Sequence, residues 1–397
     1  NDKLIRFITQ FNINPLPNSF SFSTGLDRRY GNRAFRFSTP EYGTSITKLF
    51  YWDRKYNLQW DLTQSLKFSF NASNNSAIDE LAVMDSLGRV DPNYDEKRNK
   101  ELIWDNIRRL GRPKNYMHNY NASYNLPTRH IPLMDWIQVT AQGSGTFAWL
   151  AGSENVVDFL GNVIQNSQTR QLSANLNFDA LYDKWSYLQK INQPAGQSNP
   201  TPRTRDRTAP QPGAPQPAAR EKKDRQPSWI ERLLIRPLMS LRKGRLTYSE
   251  NLASLVPGFK ALPKYLGLAS GFGDPGWAYV LGMDPTQTWL DEIGRRGMIT
   301  EDIRLNQQFS RNYNQTLDAR LTLEPFSEFN IEISLNKNYT RNYLEFFKND
   351  GSGAGLKHLT PTEVGSFNIS YLGINTLFGK NVDSLYAQFE RNRAIFS

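Results

Sequence analysis

Hydrophobic and polar residues alternate with a period of two, over about ten residues at a time, along most of the chain. In the clearest example, residues 329–335, every second side chain is Phe, Ile or Leu, and Asn, Glu and Ser lie between them. The same alternation runs through residues 317–323, and a short Glu-Pro-Phe-Ser segment separates the two runs. This arrangement predicts a β-hairpin with a tight turn.

A second hairpin is predicted from residues 56–62 and 66–72, with Thr63, Gln64 and Ser65 in the turn. Further strands are predicted at residues 20–26, 116–126, 137–143, 172–178, 367–371 and 385–389. We expect about a dozen strands in all, each of the roughly 9 to 11 residues that a membrane-spanning strand needs.

Four segments have helical spacing instead, and we expect them to be short helices in loops. The first, residues 96–110, ends at Gly111. The second begins at Ser153 as the N-cap and carries apolar residues up to Ile164. The third, residues 228–242, is basic and contains Pro237, which should break it. The fourth, residues 286–296, ends at Gly297.

One stretch differs in composition from the rest of the chain. Residues 193–227 contain eight prolines and many Gly, Ser, Thr, Gln and basic residues, with almost nothing apolar. Such a segment cannot bury enough surface to become ordered, so a disordered insertion is predicted. It divides the chain into two strand-rich parts with helical loop insertions, residues 1–192 and 228–397.

Composition excludes several kinds of chemistry. The absence of Cys excludes disulfides, thiolate metal sites and cysteine nucleophiles. The three histidines, His118, His130 and His358, stand in no metalloprotease motif, and the glycine-rich residues 350–355 lack the Lys-Ser/Thr ending of a phosphate loop. Neither an enzyme nor a cofactor is therefore expected. The net charge of +10 is scattered apart from residues 203–245, so nucleic acid is not favoured as a partner.

The pattern fits two fold classes. Mean hydropathy is −0.62, and no apolar run approaches the length of a membrane-spanning helix, yet strands that are apolar only at every second position escape this test. Aromatic residues stand at the ends of two predicted strands, at 50–52 and 339–347, as in the girdles of membrane barrels. Packing in a soluble β-sandwich would explain them equally well.

Several short blocks resemble the SprA/Sov family of Bacteroidota outer-membrane proteins, the translocon of the type 9 secretion system. The first is Leu16-Pro17-Asn18-Ser19-Phe20-Ser21-Phe22. Others follow in the same order, outside residues 193–227: 50–54, 56–80, 160–167, 176–192, 246–251, 256–259, 275–282 and 323–343. Members of the family are several times longer than this chain, so the resemblance implies a piece of a larger polypeptide. Asn1 is then expected to be a processed end or an internal cut.

The resemblance implies an all-β fold, an antiparallel transmembrane β-barrel segment that is part of a very large outer-membrane barrel, with short helices in loops. It implies a protein-conducting pore that passes folded cargo proteins to the cell surface, as in gliding bacteria of this group. The implied partners are a PorV-like outer-membrane barrel at a lateral opening, a plug protein, secreted cargo proteins, and the lipid bilayer with its lipopolysaccharide. A soluble or surface β-sandwich that binds or adheres, and a small-solute outer-membrane porin or receptor, remain alternatives.

In such a barrel one phase of the alternation faces lipid and the other faces a water-filled lumen. The lipid-facing candidates are Leu58, Trp60, Leu62, Leu317, Leu321, Phe329, Ile331, Ile333 and Leu335. The lumen-facing candidates are Asn57, Gln59, Asp61, Asp318, Arg320, Asn330, Glu332, Ser334 and Asn336. In the sandwich alternative the polar phase is simply the solvent side.

Overall fold

A computed structural model describes residues 13–33, 45–83, 94–131, 133–192, 238–326 and 329–370, with a few residues around 231–235 and 386–391. The described chain is mostly β and forms one ten-stranded antiparallel sheet in which each strand pairs with the next along the chain. The strands are β1 (Ser19–Arg33), β2 (Ser45–Asp61), β3 (Leu66–Ala77), β4 (Arg112–Asn125), β5 (Ile137–Leu150), β6 (Asn162–Asn177), β7 (Leu241–Phe259), β8 (Phe309–Phe326), β9 (Phe329–Asn349) and β10 (Leu356–Ile369).

The sheet is a simple up-and-down meander, and it is open. Its edge strands β1 and β10 each pair with one neighbour among the described residues. Both predicted hairpins are confirmed, as β2–β3 and β8–β9. The strands contain 12 to 21 residues and are longer than predicted, because they continue past the alternating apolar segments that indicated them.

Six α-helices are fully described in the connections between the strands. They are α1 (Glu96–Arg108), α2 (Val157–Leu160), α3 (Phe178–Tyr182), α4 (Ser186–Asn192), α5 (Trp277–Val280) and α6 (Gln287–Arg295), and a 3-10 turn covers Thr128–His130. None of the described helices has the length and apolar character needed to cross a membrane.

The first and fourth predicted helices are confirmed as α1 and α6. Asp95 caps α1 by accepting a hydrogen bond from the Lys97 amide, and Thr286 caps α6 by accepting one from the Trp289 amide. The second was predicted too long, because Ile164 already belongs to β6, where it pairs with Trp149 and Val256.

Two other predictions fall largely on undescribed residues. The proline-rich segment 193–227 and about half of the third predicted helix, residues 228–242, lie outside the described chain; Leu241 and Arg242 belong to β7, so the helix was predicted too long there. Of the strand predicted at 385–389, the described residues Tyr386 and Ala387 are helical, so that prediction is wrong there.

The main hydrophobic core does not lie between two sheets. It forms where the long β7–β8 connection, residues 260–308, folds back over one end of the sheet; we call this connection the lobe. Buried lobe residues Leu268, Tyr279 and Leu290 pack with sheet residues such as Phe147 and Ile164. The lobe therefore contacts strands that lie more than 100 positions earlier in the chain.

Candidate functional site

The candidate site is the sheet itself, because its two faces differ in chemistry across all ten strands. Directly paired residues of neighbouring strands share a face, and successive residues of one strand alternate between faces. Following the pairs from β1 to β10 assigns each side chain to one of two continuous surfaces. We call them the polar face and the apolar face.

The two sets of residues predicted from the sequence lie on opposite faces. In the β8–β9 pair, Leu321 lies opposite Ile333, and Arg320 lies opposite Ser334. On the polar face lie Asn57, Gln59, Asp61, Asp318, Arg320, Asn330, Glu332, Ser334 and Asn336. On the apolar face lie Leu58, Trp60, Leu317, Leu321, Phe329, Ile331, Ile333 and Leu335, whereas Leu62 follows directly after the last residue of β2 and has no pair in the register. That these faces contact lumen water and lipid stays a prediction.

In the middle of the sheet the polar face consists of neutral amides and hydroxyls. Its central rows contain Asn119, Asn121, Ser144, Thr146, Ser167, Thr169, Gln171, Ser249 and Asn251. Charges appear further out, where Arg320 Nε donates to Glu332 Oε1 at 2.8 Å across β8 and β9. A surface of this kind hydrogen-bonds water readily.

The apolar face is divided into three levels along the strands. The first level, near the β2–β3 and β8–β9 turns, is an apolar band that crosses the whole sheet. Its residues include Phe20, Phe22, Leu58, Phe68, Val139, Leu172, Leu246, Leu317, Ile333 and Ile369. Much of this band is exposed to solvent in the described chain: Phe20 is 64% exposed and Ile333 is 46% exposed. An exposed patch of this extent indicates a binding surface or a membrane contact.

The second level is a row of tyrosines and long polar side chains that begins at the edge of the band, where Tyr248 pairs with Leu172 and Leu317. Tyr248 and Tyr313 both donate to Glu250 Oε1, and Gln315 Nε2 donates to the Tyr248 hydroxyl at 2.7 Å. On the adjacent strand, Lys337 Nζ donates to Gln315 Oε1 at 3.1 Å. Tyrosine with Lys and Arg is the combination found at the headgroup level of membrane proteins, where an apolar ring meets a polar environment.

The third level is covered by the lobe, which docks tightly. Asn166 in β6 donates through Nδ2 to the carbonyl oxygens of Tyr279 and Met283, each at 2.9 Å. Gly282 has a φ of +82°, and a Cβ atom there would lie 2.4 Å from the Ser167 carbonyl oxygen. The lobe backbone therefore lies against the β6 backbone at a distance that no larger residue permits.

The three histidines, which stand in no metalloprotease motif, have different surroundings. His118 is buried on the apolar face, where Nε2 lies 3.1 Å from the Val280 carbonyl oxygen of the lobe. His358 bridges two carboxylates: its Nδ1 lies 2.8 Å from Glu345 Oε2, and its Nε2 lies 3.0 Å from Asp291 Oδ1 in α6. The side chain of His130 lies outside the described part of the chain.

The arrangement around His358 is a structural tie between the lobe and strands β9 and β10. Glu345 is fully buried, and the Tyr343 hydroxyl also donates to its Oε2 at 2.9 Å. Within the described chain, no group of three or more His, Asp or Glu side chains could hold a metal ion. The glycine-rich segment 350–355 is the loop of the β9–β10 hairpin, as its composition predicts.

Sequence reasoning missed the lobe and its contacts. The aromatic residues 339–347 do not form a girdle as a group, because Phe347 is buried against the lobe and Tyr339 lies at the level of the tyrosine row. The signal was present at Trp277, Tyr279 and Trp289, a density of aromatic residues unusual for a loop. Their partners could not be read from the sequence.

Comparison with known proteins does not identify a family for this chain. No family model and no curated protein matches this sequence. The function is therefore argued from the two faces of the sheet.

Proposed function

We propose that this chain forms part of the wall of a very large outer-membrane β-barrel, the protein-conducting translocon of a type 9 secretion system. The observation that carries the proposal is the sheet-wide division into one polar face, neutral in its central rows, and one exposed apolar band. A membrane wall needs both, because lipid covers one side of each strand and water the other. The resemblance of the sequence blocks to the SprA/Sov family supports the choice of a protein conduit.

The dimensions of the band support a membrane contact. On β9 the apolar run Phe329–Leu335 extends roughly 20 Å at about 3.3 Å per residue. At the usual strand tilt of about 40° this run rises roughly 15 Å along the membrane normal, and the stretch from Phe329 to Tyr339 rises roughly 25 Å, the height of the apolar band of outer-membrane barrels. The tyrosine row then lies at the headgroup level, and the lobe lies beyond the bilayer on the lipid side of the wall.

The composition of the polar face favours a passage for proteins. Neutral Asn, Gln, Ser and Thr side chains hydrate well and bind weakly, so cargo would not be held by apolar contacts or by a strong field of one sign. In this proposal the wall acts with the partners that the family implies: a PorV-like barrel, a plug protein and secreted cargo. A passive conduit of this kind needs neither a catalytic group nor a cofactor.

The two alternatives make different demands on the structure. A sandwich needs a second sheet over the apolar face, whereas all ten described strands belong to one sheet. A small-solute porin has the same two-faced wall but conducts ions steadily without secretion partners. Cell fractionation therefore distinguishes the membrane wall from the sandwich. Identifying the molecules that contact the polar face distinguishes the protein conduit from the porin.

The test is site-specific photo-crosslinking in the full-length protein, in cells of its natural host. A photoreactive phenylalanine analogue at Ser334 should crosslink to exported proteins during secretion, and the same analogue at Ile333 should not. The pair is matched, because the two positions are adjacent in β9 and are both exposed.

Three results would contradict the proposal. Recovery of the protein in the aqueous fraction, without detergent, would exclude a membrane wall. Exported proteins crosslinked equally at both positions would exclude the assigned faces. Steady ion conductance in planar bilayers, with no exported protein crosslinked at Ser334, would favour the porin.

A further inference from the structure

A deep groove opens on the apolar face between strands β1–β4 and the lobe. Its volume is about 1180 Å³, above the roughly 300–1,000 Å³ of typical small-molecule sites. The floor is the apolar band itself, built from Tyr56, Leu58, Phe68, Phe70 and Ala72. The walls at the far end are the last turn of α1 and lobe residues 262–266. The groove is thus continuous with the surface that we assign to lipid.

The far end of the groove is strongly basic. It is lined by Arg54, Arg108, Arg109, Arg112 and Lys264, and no Asp or Glu of the described chain is among the lining residues. Arg112 is paired with Asp79 and Glu154, and Arg109 with Asp105. For Arg54, Arg108 and Lys264 the described chain offers no carboxylate partner within 4.0 Å. A concentration of cations beside an apolar floor is complementary to an anionic amphiphile.

Arg54 is the unusual member of this set. It is only 5% exposed, and its Nη2 donates to Ser76 Oγ and to the Leu110 carbonyl oxygen, each at 2.9 Å. Its Nε is buried and has no hydrogen-bond partner in the described chain. A buried cation with an unused donor is costly unless a ligand satisfies it, since buried polar groups are normally hydrogen-bonded.

Exposed aromatic rings mark the rim of the groove. Tyr265 stacks on Phe272 at a centroid distance of 4.9 Å, and Phe272 stacks on Trp277 at 6.4 Å. All three rings are about half exposed. Such rings prefer the boundary between acyl chains and headgroups, so the basic end of the groove lies where the phosphates of a bilayer would be.

We propose that this groove binds one anionic membrane lipid, with its acyl chains along the β2–β3 floor and its phosphate among Arg54, Arg108 and Lys264. The inference rests on the proposed membrane location of the chain. Basic pockets beside membrane-spanning elements are the usual binding sites of anionic headgroups. The bound lipid contacts the lobe, α1 and the sheet together, because residues of all three line the groove.

The test measures lipid retained by the purified full-length protein in detergent micelles, by native mass spectrometry. The probes are dioleoyl phosphatidylglycerol, dioleoyl phosphatidylcholine and inorganic phosphate, each added separately. We expect preferential retention of phosphatidylglycerol and no retention of inorganic phosphate. The double variant Arg108→Glu with Lys264→Glu should lower phosphatidylglycerol retention at least tenfold. Both side chains are exposed, so folding should be unaffected.

The matched control is Arg98→Glu with Lys260→Glu, which makes the same change of charge at exposed positions that do not line the groove. It should retain phosphatidylglycerol like the wild type. Equal retention of both lipids by the wild type, or an equal loss in the control, would overturn the lipid site. Either result would leave extraction from the outer membrane unchanged, so failure of the lipid site is distinguishable from failure of the proposed wall.

Discussion

Leu321 lies directly opposite Ile333 on neighbouring strands, and the pair one residue away, Arg320 and Ser334, points to the other side of the sheet. The same alternation repeats from β1 to β10. A shift of one residue in the register of any strand would therefore move its polar side chains to the apolar face and its apolar side chains to the polar face. The function that we propose depends on this register.

Substitution of Ile333 by Arg should impair membrane assembly. A charge at the lipid-facing midplane of a barrel costs about 2 to 4 kcal/mol. Ser334→Arg is the matched variant, and it should fold, because the small repulsion from Arg320 opposite is about 1 kcal/mol or less. The measurement is the amount of folded protein in outer-membrane fractions. Equal losses in both variants would contradict the assigned faces.

Substitution of Gly282 by Ala should loosen the lobe. The new Cβ would lie 2.4 Å from the Ser167 carbonyl oxygen, and its φ of +82° adds strain of about 1 to 2 kcal/mol. Gly271→Ala is a matched control, because Gly271 has a φ of +91° and no atom within 4 Å of the added Cβ. Proteolysis within residues 260–308 should accelerate much more in Gly282→Ala. Equal acceleration of proteolysis in both variants would show that the close approach of the lobe to β6 contributes nothing to the stability of the lobe.

Substitution of His358 by Ala should detach β9 and β10 from α6. It leaves the fully buried Glu345 carboxylate with Tyr343 as its remaining hydrogen-bond donor and removes the link to Asp291. Breaking a buried charged pair in this way costs about 3 to 5 kcal/mol. Adding Glu345→Gln to His358→Ala should recover part of that loss of unfolding free energy, because the buried charge is gone. A double variant less stable than His358→Ala would refute this explanation.

The loop that precedes β6 should weaken in acid. Hydrogen bonds from Lys114 and then from Arg112 hold the pKa of Glu154 below its ordinary value of 4.5. The folded chain therefore gains stability from Glu154 above pH 4.5 and loses it as the pH falls through the lowered pKa. The gain is small because Glu154 is largely exposed. The difference in melting temperature between wild type and Glu154→Gln should shrink below pH 4.5, and a constant difference would exclude this cause.

The strands could be predicted from the sequence because period-two alternation is a local signal. Residues 56–62 and 329–335 show it without reference to any partner, and their faces follow from it. The capped helices α1 and α6 could be predicted for the same reason, since Gly111 and Gly297 mark where they end.

The lobe could not be predicted, because its structure depends on distant partners. Tyr279 donates to the Ile164 carbonyl oxygen, and its neighbours in the sequence show no periodicity that indicates this contact. The basic groove was missed for a related reason. Arg54, Arg108 and Lys264 are separated in the sequence and meet only when α1 and the lobe fold onto β2.

The most direct test of the account is the accessibility of single cysteines along β9 in native membranes. The 397 residues contain no Cys, so each introduced thiol in this chain is unique. With Cys placed in turn at residues 330–336, a membrane-impermeant maleimide should label positions 330, 332, 334 and 336 and spare 331, 333 and 335. A lipid-soluble quencher should affect a fluorophore at the second set alone. Uniform labelling of both sets, or the inverse pattern, would contradict a wall with water on one side and lipid on the other.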